Sequence, residues 1–117
     1  SQKPIKEGGW NMFFTNWNGA DLSNPIVNFA IGGKGKNGGW FGWADDPKIE
    51  SLKNDFARAK TPEEAKKIAT EIQKEAYEQV IYIPLGQYTQ PSAWRKSLTG
   101  VLDGPATPIF WNIDKSE

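Results

Sequence analysis

Apolar residues between Asp46 and Lys60 recur at the three- and four-residue spacing of an amphipathic helix. They are Ile49, Leu52, Phe56 and Ala59. Asp46 and Pro47 precede this stripe, and Asp is favoured as a helix N-cap, while Pro is favoured at the first helical position. The pattern predicts a helix of about three turns that begins after Asp46.

A second helical pattern follows directly. Thr61 and Glu64 have the spacing of a capping box, with Pro62 between them at the first helical position. The apolar residues that follow form one stripe, consisting of Ala65, Ile68, Ala69, Ile72 and Ala76. The sequence therefore predicts a helical hairpin joined through Lys60 and Thr61. Its many charged residues are expected on the solvated face.

Strand patterns lie on both sides of the hairpin. Gly9 to Thr15 alternates as a strand buried on both faces would, and Val80 to Leu85 is rich in β-branched and aromatic residues. Pro84 cannot donate to a β-ladder, so it indicates an edge, a bulge or a strand end. Ile109 to Ile113 is compatible with one last strand. The predicted fold class is α+β, with a few strands packed against the two-helix hairpin.

Residues 18–44 are predicted to be mostly loop, with Ile26 to Ile31 either a short strand or one helical turn. Within this region, Gly33, Gly35 and Gly38 have the spacing of a dinucleotide-binding fingerprint. That fingerprint requires a helix whose N-terminus faces the pyrophosphate, whereas the predicted helix begins too far downstream. We therefore interpret the glycine-rich segment as a mobile surface loop.

Composition narrows the possible functions. The 117 residues suffice for one domain, and 14 basic residues balance 14 acidic ones, which argues against nucleic acid as a partner. The chain has no His and no Cys, so zinc sites and Ser-His-Asp or Cys-His catalysis are excluded from this chain alone, and we expect no metal and no cofactor. Ser1 to Glu7 is polar and lacks the apolar stretch of a signal peptide.

The segment from Trp10 to Ala44 contains eight of the fifteen aromatic residues but only three charges, at Asp21, Lys34 and Lys36. A carboxylate among aromatic rings suits a cationic ligand group, because a charge-assisted hydrogen bond contributes about 1.5 to 3 kcal/mol and a ring face about 0.5 to 2 kcal/mol. Asp21 would then be the anchor and Trp17 the wall. The alternative is that Asp21 caps a turn, since Ser, Asn and Pro follow it.

The order of motifs resembles the extracellular solute-binding proteins of ABC importers, in the family that captures dipeptides, oligopeptides and nickel complexes. The residues that carry the resemblance are Trp17, Ala20-Asp21 and Pro25, Gly42-Trp43, Asp46-Pro47, Tyr82-Ile-Pro-Leu-Gly-Gln-Tyr88, Ala93 to Val101 and Pro108 to Ile113. Members of this family are several hundred residues long. The resemblance therefore implies a C-terminal fragment of such a protein.

The resemblance also implies a site and a division of the chain. In peptide-binding members, an Ala-Asp-x-x-x-Pro segment after a Trp supplies the Asp that pairs with the terminal ammonium of the peptide, and Ala20 to Pro25 matches it. Residues 1–93 would belong to the C-terminal, ligand-binding lobe of a periplasmic-binding-protein fold, and residues 94–117 would return toward the other lobe. The expected location is the periplasm or the membrane-associated exterior, with the signal peptide outside this fragment.

The predicted function is non-catalytic capture of a peptide or other amine-bearing solute in a cleft between two lobes, for delivery to a membrane permease. Trp40 and Trp43 are further candidates for lining this cleft, with packing beneath the helical hairpin as the alternative. A competing function is a carbohydrate-binding module or glycosidase fragment with Trp platforms, which would require paired carboxylates for hydrolysis. We also expect the isolated fragment to self-associate, because missing strands would leave apolar surface exposed.

Overall fold

The computed structural model describes residues 3, 5–102, 104 and 109–116 of the chain. Within them, the helices are α1 (Pro47–Arg58) and α2 (Pro62–Glu78), the strands are β1 (Leu98–Thr99) and β2 (Asp114–Lys115), and the 3-10 turns are Ile5–Glu7, Gly19–Leu22 and Phe29–Ile31. The chain divides into two compact units, Ser1–Ile83 and Pro84–Glu117. The predicted α+β class is confirmed.

Helix α1 begins where the sequence places it. The Asp46 carboxylate caps the helix, because its Oδ1 accepts hydrogen bonds from the backbone N–H of Lys48 at 2.9 Å and of Ile49 at 3.1 Å. Pro47 occupies the first helical position, where its missing N–H costs nothing. The predicted length of three turns and the predicted N-cap are both confirmed.

Helix α2 follows after a short connection and starts with a variant of the predicted capping box. Thr61 Oγ1 accepts from the Glu64 backbone N–H at 3.1 Å. The Glu64 side chain reaches back to the N–H of Lys60 at 2.8 Å, one residue before the N-cap itself. These two hydrogen bonds hold the connection between α1 and α2. The predicted helical hairpin is confirmed.

The core of the first unit lies between the two helices and the turn that precedes them. Ile49 and Ile72 are fully buried, and Ile31 and Ala76 complete the buried cluster. Four partly buried side chains pack against it, namely Leu52, Phe56, Ile68 and Ile81. Burying one side chain of this kind contributes about 1.5 to 3 kcal/mol, so this cluster stabilises the hairpin. The turn Phe29–Ile31 confirms the helical alternative for the segment from Ile26 to Ile31.

A charged pair joins the two helices beside the core. Lys48, at the start of α1, pairs with Glu75 in α2, and Gln79 donates to the same carboxylate at 3.0 Å. The hydrogen bond from Lys48, followed by that from Gln79, lowers the pKa of Glu75 below its ordinary value. The same bond and the charge of Glu75 raise the pKa of Lys48. Only 5% of Glu75 is exposed, whereas the Lys48 ammonium stays largely in solvent.

The glycine-rich segment, residues 32–39, packs against the start of α1. Asp46 N donates to Gly33 O at 2.9 Å, Gly35 N donates to Ala44 O at 2.8 Å, and Gly33 N donates to Glu50 Oε1 at 2.8 Å. Gly33 and Gly35 are buried, whereas Lys34 and residues 36–38 are exposed, so the segment lies at the surface as predicted but is anchored against the start of α1. Gly33 is required because a Cβ there would overlap the backbone carbonyl of Asp46.

The strand predicted from Gly9 to Thr15 is wrong. Trp10, Met12, Phe13 and Phe14 are exposed and unpaired with any strand of the described residues. A strand buried on both faces requires neighbouring strands and a covering layer, and the described part of this chain supplies neither. The alternating pattern reflects the apolar character of these side chains. No strand among the described residues pairs with the segment from Gly9 to Thr15.

The strand predicted from Val80 to Leu85 is also wrong. Two residues after the end of α2, Val80 is left-handed with φ of 51°, and Ile81 N donates back to Ala76 O at 3.3 Å. This arrangement resembles a Schellman cap, in which glycine usually occupies the left-handed position. Beyond it the chain continues without a ladder, and Ile83 and Leu85 are exposed.

The second unit contains the two-stranded sheet. Leu98 pairs with Lys115 and Thr99 with Asp114 in antiparallel register. Ser116 extends the pairing, since its N–H donates to Ser97 O at 2.9 Å. The last strand is thus displaced from the predicted range of Ile109 to Ile113, where Ile113 N instead donates to Phe110 O in a turn. Residues 105–108, with Pro108, lie outside the described residues.

The lobe architecture of a larger protein, and the division at residue 93, stay predictions. Neither α1 nor α2, the two α-helices of the described residues, has the length and apolar character that a membrane span requires.

Replacing the Glu75 carboxylate by an amide should make the thermal stability of the protein depend less on pH in the acidic range. Because the folded pKa of Glu75 is lowered, its contribution is present above the ordinary value of 4.5 and is lost as pH falls through the folded value. Thermal unfolding of wild type and Glu75→Gln should differ most at about pH 7 and least at about pH 3. Glu71→Gln, which breaks only an exposed pair with Lys74, is the matched control and should change little. An equal difference at both pH values would contradict the assignment.

Gly33→Ala should destabilise the first unit. The added Cβ meets the Asp46 carbonyl, and backbone on both sides of the contact cannot yield without breaking the cap of α1. We expect a loss of about 2 kcal/mol in the free energy of unfolding, measured by urea denaturation. Gly19→Ala is the control, since nothing lies within 4 Å of a Cβ at that position. Similar losses for the two variants would argue against the close approach.

Candidate functional site

Seven aromatic side chains of the first unit form a continuous chain of ring contacts, which we call the aromatic cluster. Its members are Trp10, Phe13, Trp17, Phe29, Trp40, Phe41 and Trp43. Centroid separations between neighbouring rings run from 4.7 to 6.5 Å, the range in which aromatic pairs attract each other beyond simple burial. The residues of the helical core are a separate set, so Trp40 and Trp43 are not packed beneath the hairpin.

One end of the cluster is built around Trp17. Its ring stacks on Phe29 with a centroid separation of 6.5 Å and an interplanar angle of 21°, and it meets Trp40 at 4.7 Å and 59°. The indole nitrogens of Trp17 and Trp40 are both buried and have no hydrogen-bond partner among the described residues. A buried N–H without an acceptor is unfavourable. A hydrogen-bond acceptor placed beside either indole nitrogen would therefore stabilise the contact between Trp17 and Trp40.

The other end of the cluster is built on a tight turn from Trp40 to Trp43. Trp43 N donates to Trp40 O at 2.8 Å, and Gly42 has φ of 105°, which the third position of a type II turn requires. Trp43 itself has φ of 50°, a left-handed conformation uncommon for a bulky residue. Its ring stacks on Trp10 at 5.7 Å and 29°, and this packing holds the backbone in place.

Asp21 lies in the 3-10 turn Gly19–Leu22, four residues after Trp17, with its backbone N–H donating to Asn18 O at 3.0 Å. The side chain is exposed, and within the described residues no hydrogen bond or ion pair to its carboxylate is found. The turn that follows is capped instead by Asn24, whose Oδ1 accepts from Ile26 N at 2.9 Å. The turn-capping alternative therefore does not account for Asp21.

The structure thus brings three of the four predicted ligand-binding residues into one cluster. Trp17 touches Trp40 directly, and Phe41 links Trp40 to Trp43 through separations of 5.0 and 5.9 Å. Asp21 is connected to the cluster along the chain through Trp17. Four further members of the cluster were not predicted, namely Trp10, Phe13, Phe29 and Phe41. The density of aromatic residues between Trp10 and Ala44 was the available signal, but it could not say which rings meet.

Other candidate chemistry is explained by local structure. Asp46, which with Asp45 forms an adjacent acidic pair before α1, is occupied as the N-cap of that helix, although its Oδ2 is buried without a partner in the described residues. Among the same residues there is no group of three or more acidic side chains that could hold a metal ion. In the second unit, Trp94 and Trp111 are both exposed, Trp111 to 83%.

Comparison with known proteins identifies a relative along nearly the entire chain. The chain is 34% identical over 113 residues, or 96% of its length, to the Probable peptide ABC transporter periplasmic-binding protein y4tO of Sinorhizobium fredii. The match spans 21% of that protein, so the chain corresponds to about a fifth of its relative. No protein-family model matches the chain. No solved structure matches it.

This match confirms the resemblance inferred from the residues. The chain is similar to a segment of a periplasmic binding protein of a peptide ABC transporter.

Proposed function

We propose that this chain is part of a periplasmic solute-binding protein that captures peptides or other amine-bearing small molecules for an ABC importer. The observation that carries the proposal is the sequence identity of 34% to the Sinorhizobium protein, which extends over 96% of the chain. In this role the protein binds its solute between two lobes and delivers it to a membrane permease. It makes and breaks no covalent bond, and it operates in the periplasm.

The proposed anchor for the ligand is the Asp21 carboxylate. It is exposed, and no hydrogen bond or ion pair in the described residues engages it, so its hydrogen-bonding capacity is available to an ammonium group. Closure of the two lobes around a ligand would exclude water, and an ion pair at this position would then be stronger than at an open surface. Trp17, which lies four residues earlier and packs between Phe29 and Trp40, would form the adjoining wall.

Trp40 and Trp43 are proposed to extend this wall. Their rings belong to the aromatic cluster and not to the helical core, which supports the cleft interpretation over the packing alternative. Ligand sites are lined mainly by apolar and aromatic groups, with a few polar groups that fix orientation. A continuous ring surface with one carboxylate nearby on the chain fits that description.

The carbohydrate alternative has less support. Hydrolysis of a glycoside requires two carboxylates that face each other across a cleft, whereas Asp46 is a helix cap and its neighbour Asp45 lies on the adjoining loop. Sugar binding alone would require flat accessible indoles. Trp111 is accessible, but it lies in the second unit and outside the aromatic cluster.

Asp21→Asn in the full-length protein should weaken binding of peptides with a free amino terminus. Loss of one charge-assisted hydrogen bond corresponds to a drop in affinity of about tenfold to a hundredfold, measured by isothermal titration calorimetry. Acetylating the amino terminus of the peptide should weaken binding to wild type by a similar factor and should have little further effect on the variant.

Asp55→Asn is the matched control, because Asp55 is an exposed carboxylate on α1 and lies outside the aromatic cluster. It should bind both peptides as wild type does. Equal affinity of wild type and Asp21→Asn for the free peptide would refute the role of Asp21.

The isolated 117-residue chain should self-associate and should bind ligand weakly or not at all. Large apolar side chains are exposed in both units, including Phe14 in the first and Leu85, Phe110 and Trp111 in the second. In a longer protein, additional chain would cover such surface. Light scattering should give a mass that rises with concentration, and a constant monomer mass up to high concentration would contradict this expectation.

A further inference from the structure

Phe41 is fixed by neighbouring rings and yet largely exposed. Its ring makes edge contacts with Trp40 at 5.0 Å, with Trp43 at 5.9 Å and with Phe13 at 6.5 Å, at interplanar angles of 65°, 90° and 87°. Even so, 58% of the residue remains accessible. The surrounding rings therefore hold Phe41 in position without covering it.

The backbone beneath Phe41 is constrained as well. Phe41 occupies the second position of the turn from Trp40 to Trp43, which is closed by a hydrogen bond of 2.8 Å. Gly42 and Trp43 both have positive φ, and for Trp43 this conformation is strained. Such strain persists only where the surrounding structure enforces it, and it is concentrated at active sites and ligand clamps. The turn thus presents one ring outward at a fixed position.

We propose that the exposed surface of Phe41 binds an apolar side chain of the ligand and so determines specificity for peptides that carry one. This inference rests on the proposed function, because it requires an amine-bearing ligand anchored at Asp21. Two ring contacts, of 5.0 Å and 4.7 Å, join Phe41 through Trp40 to Trp17, which lies four residues before Asp21. The exposed ring is therefore part of the same continuous surface as the wall beside the anchor.

The charge of this region favours an apolar occupant. Between Trp10 and Ala44 the only charged residues are Asp21, Lys34 and Lys36. A polar ligand side chain placed on the ring would lose hydration without gaining a hydrogen bond, whereas an apolar one would gain by leaving water. Because the ring is already held in place, little conformational entropy would be lost on binding. An apolar group of the ligand is thus the occupant that this surface favours.

The test uses the full-length protein and four peptides with free amino termini. They are triglycine and the three tripeptides in which one of the glycines is replaced by phenylalanine. Calorimetry should show that wild type prefers at least one phenylalanine peptide over triglycine by about tenfold. Phe41→Ala should lose most of this preference while retaining its affinity for triglycine. Phe41→Leu should keep a large part of it, because an apolar side chain remains. Phe110→Ala removes a ring of the second unit that is also largely exposed and should leave the preference intact.

The outcomes separate this inference from the proposed function. Binding of both peptide classes with a preference that Phe41→Ala does not change would overturn the role of Phe41 and leave the peptide-binding function standing. A large fall in melting temperature of Phe41→Ala with an unchanged preference would show that other parts of the protein cover the ring, and it would overturn the role equally. Failure of wild type to bind any of the four peptides would overturn the role of Phe41 together with the assignment of peptides as the solute.

Discussion

The close approach of Gly33 to Asp46 is the constraint on which the first unit depends. At this point Asp46 N donates to Gly33 O, Gly33 N donates to the Glu50 side chain, and the Asp46 carboxylate caps α1. One short stretch of backbone therefore starts the helix and fixes the end of the glycine-rich segment. A side chain at Gly33 would prevent both. The segment between these anchors contains Trp40, Phe41 and Trp43, so the same contact also restrains three of the seven members of the aromatic cluster.

Local signals in the sequence predicted the helical part well. N-caps at Asp46 and Thr61, prolines at the first helical positions and apolar stripes all act within a few residues, and the structure follows each of them. The capping box was predicted less accurately. The Glu64 side chain accepts from the N–H of Lys60, whereas a capping box would have it accept from the N–H of the N-cap residue, Thr61. Side chains can choose among neighbouring donors, and spacing alone does not decide that choice.

Non-local features were predicted poorly, for a physical reason. A strand exists only with a partner, and the apolar patterns of Gly9 to Thr15 and Val80 to Leu85 say nothing about where a partner lies. In the described residues these segments stay unpaired, while the ladder forms between Leu98–Thr99 and Asp114–Lys115. The burial of Gly33 and Gly35 in the glycine-rich segment was not predicted, for a related reason. Glycine is compatible both with a mobile loop and with close backbone packing, and only the position of Asp46 distinguishes them.

The candidate site combines a part that the sequence could indicate and a part that it could not. The abundance of aromatic residues and the scarcity of charge around Asp21 indicated a binding surface, and the Asn24 cap removes the simplest structural role for that carboxylate. The order of ring contacts, from Phe29 through Trp17, Trp40 and Phe41 to Trp43, depends on a turn with two positive φ angles that composition does not reveal. Rings that contact one another in this way support one another, so the members of the cluster help to hold the surface in place. A surface of that kind can keep its shape while the groups that face it are exchanged, which is what the proposed binding and release of solutes would demand.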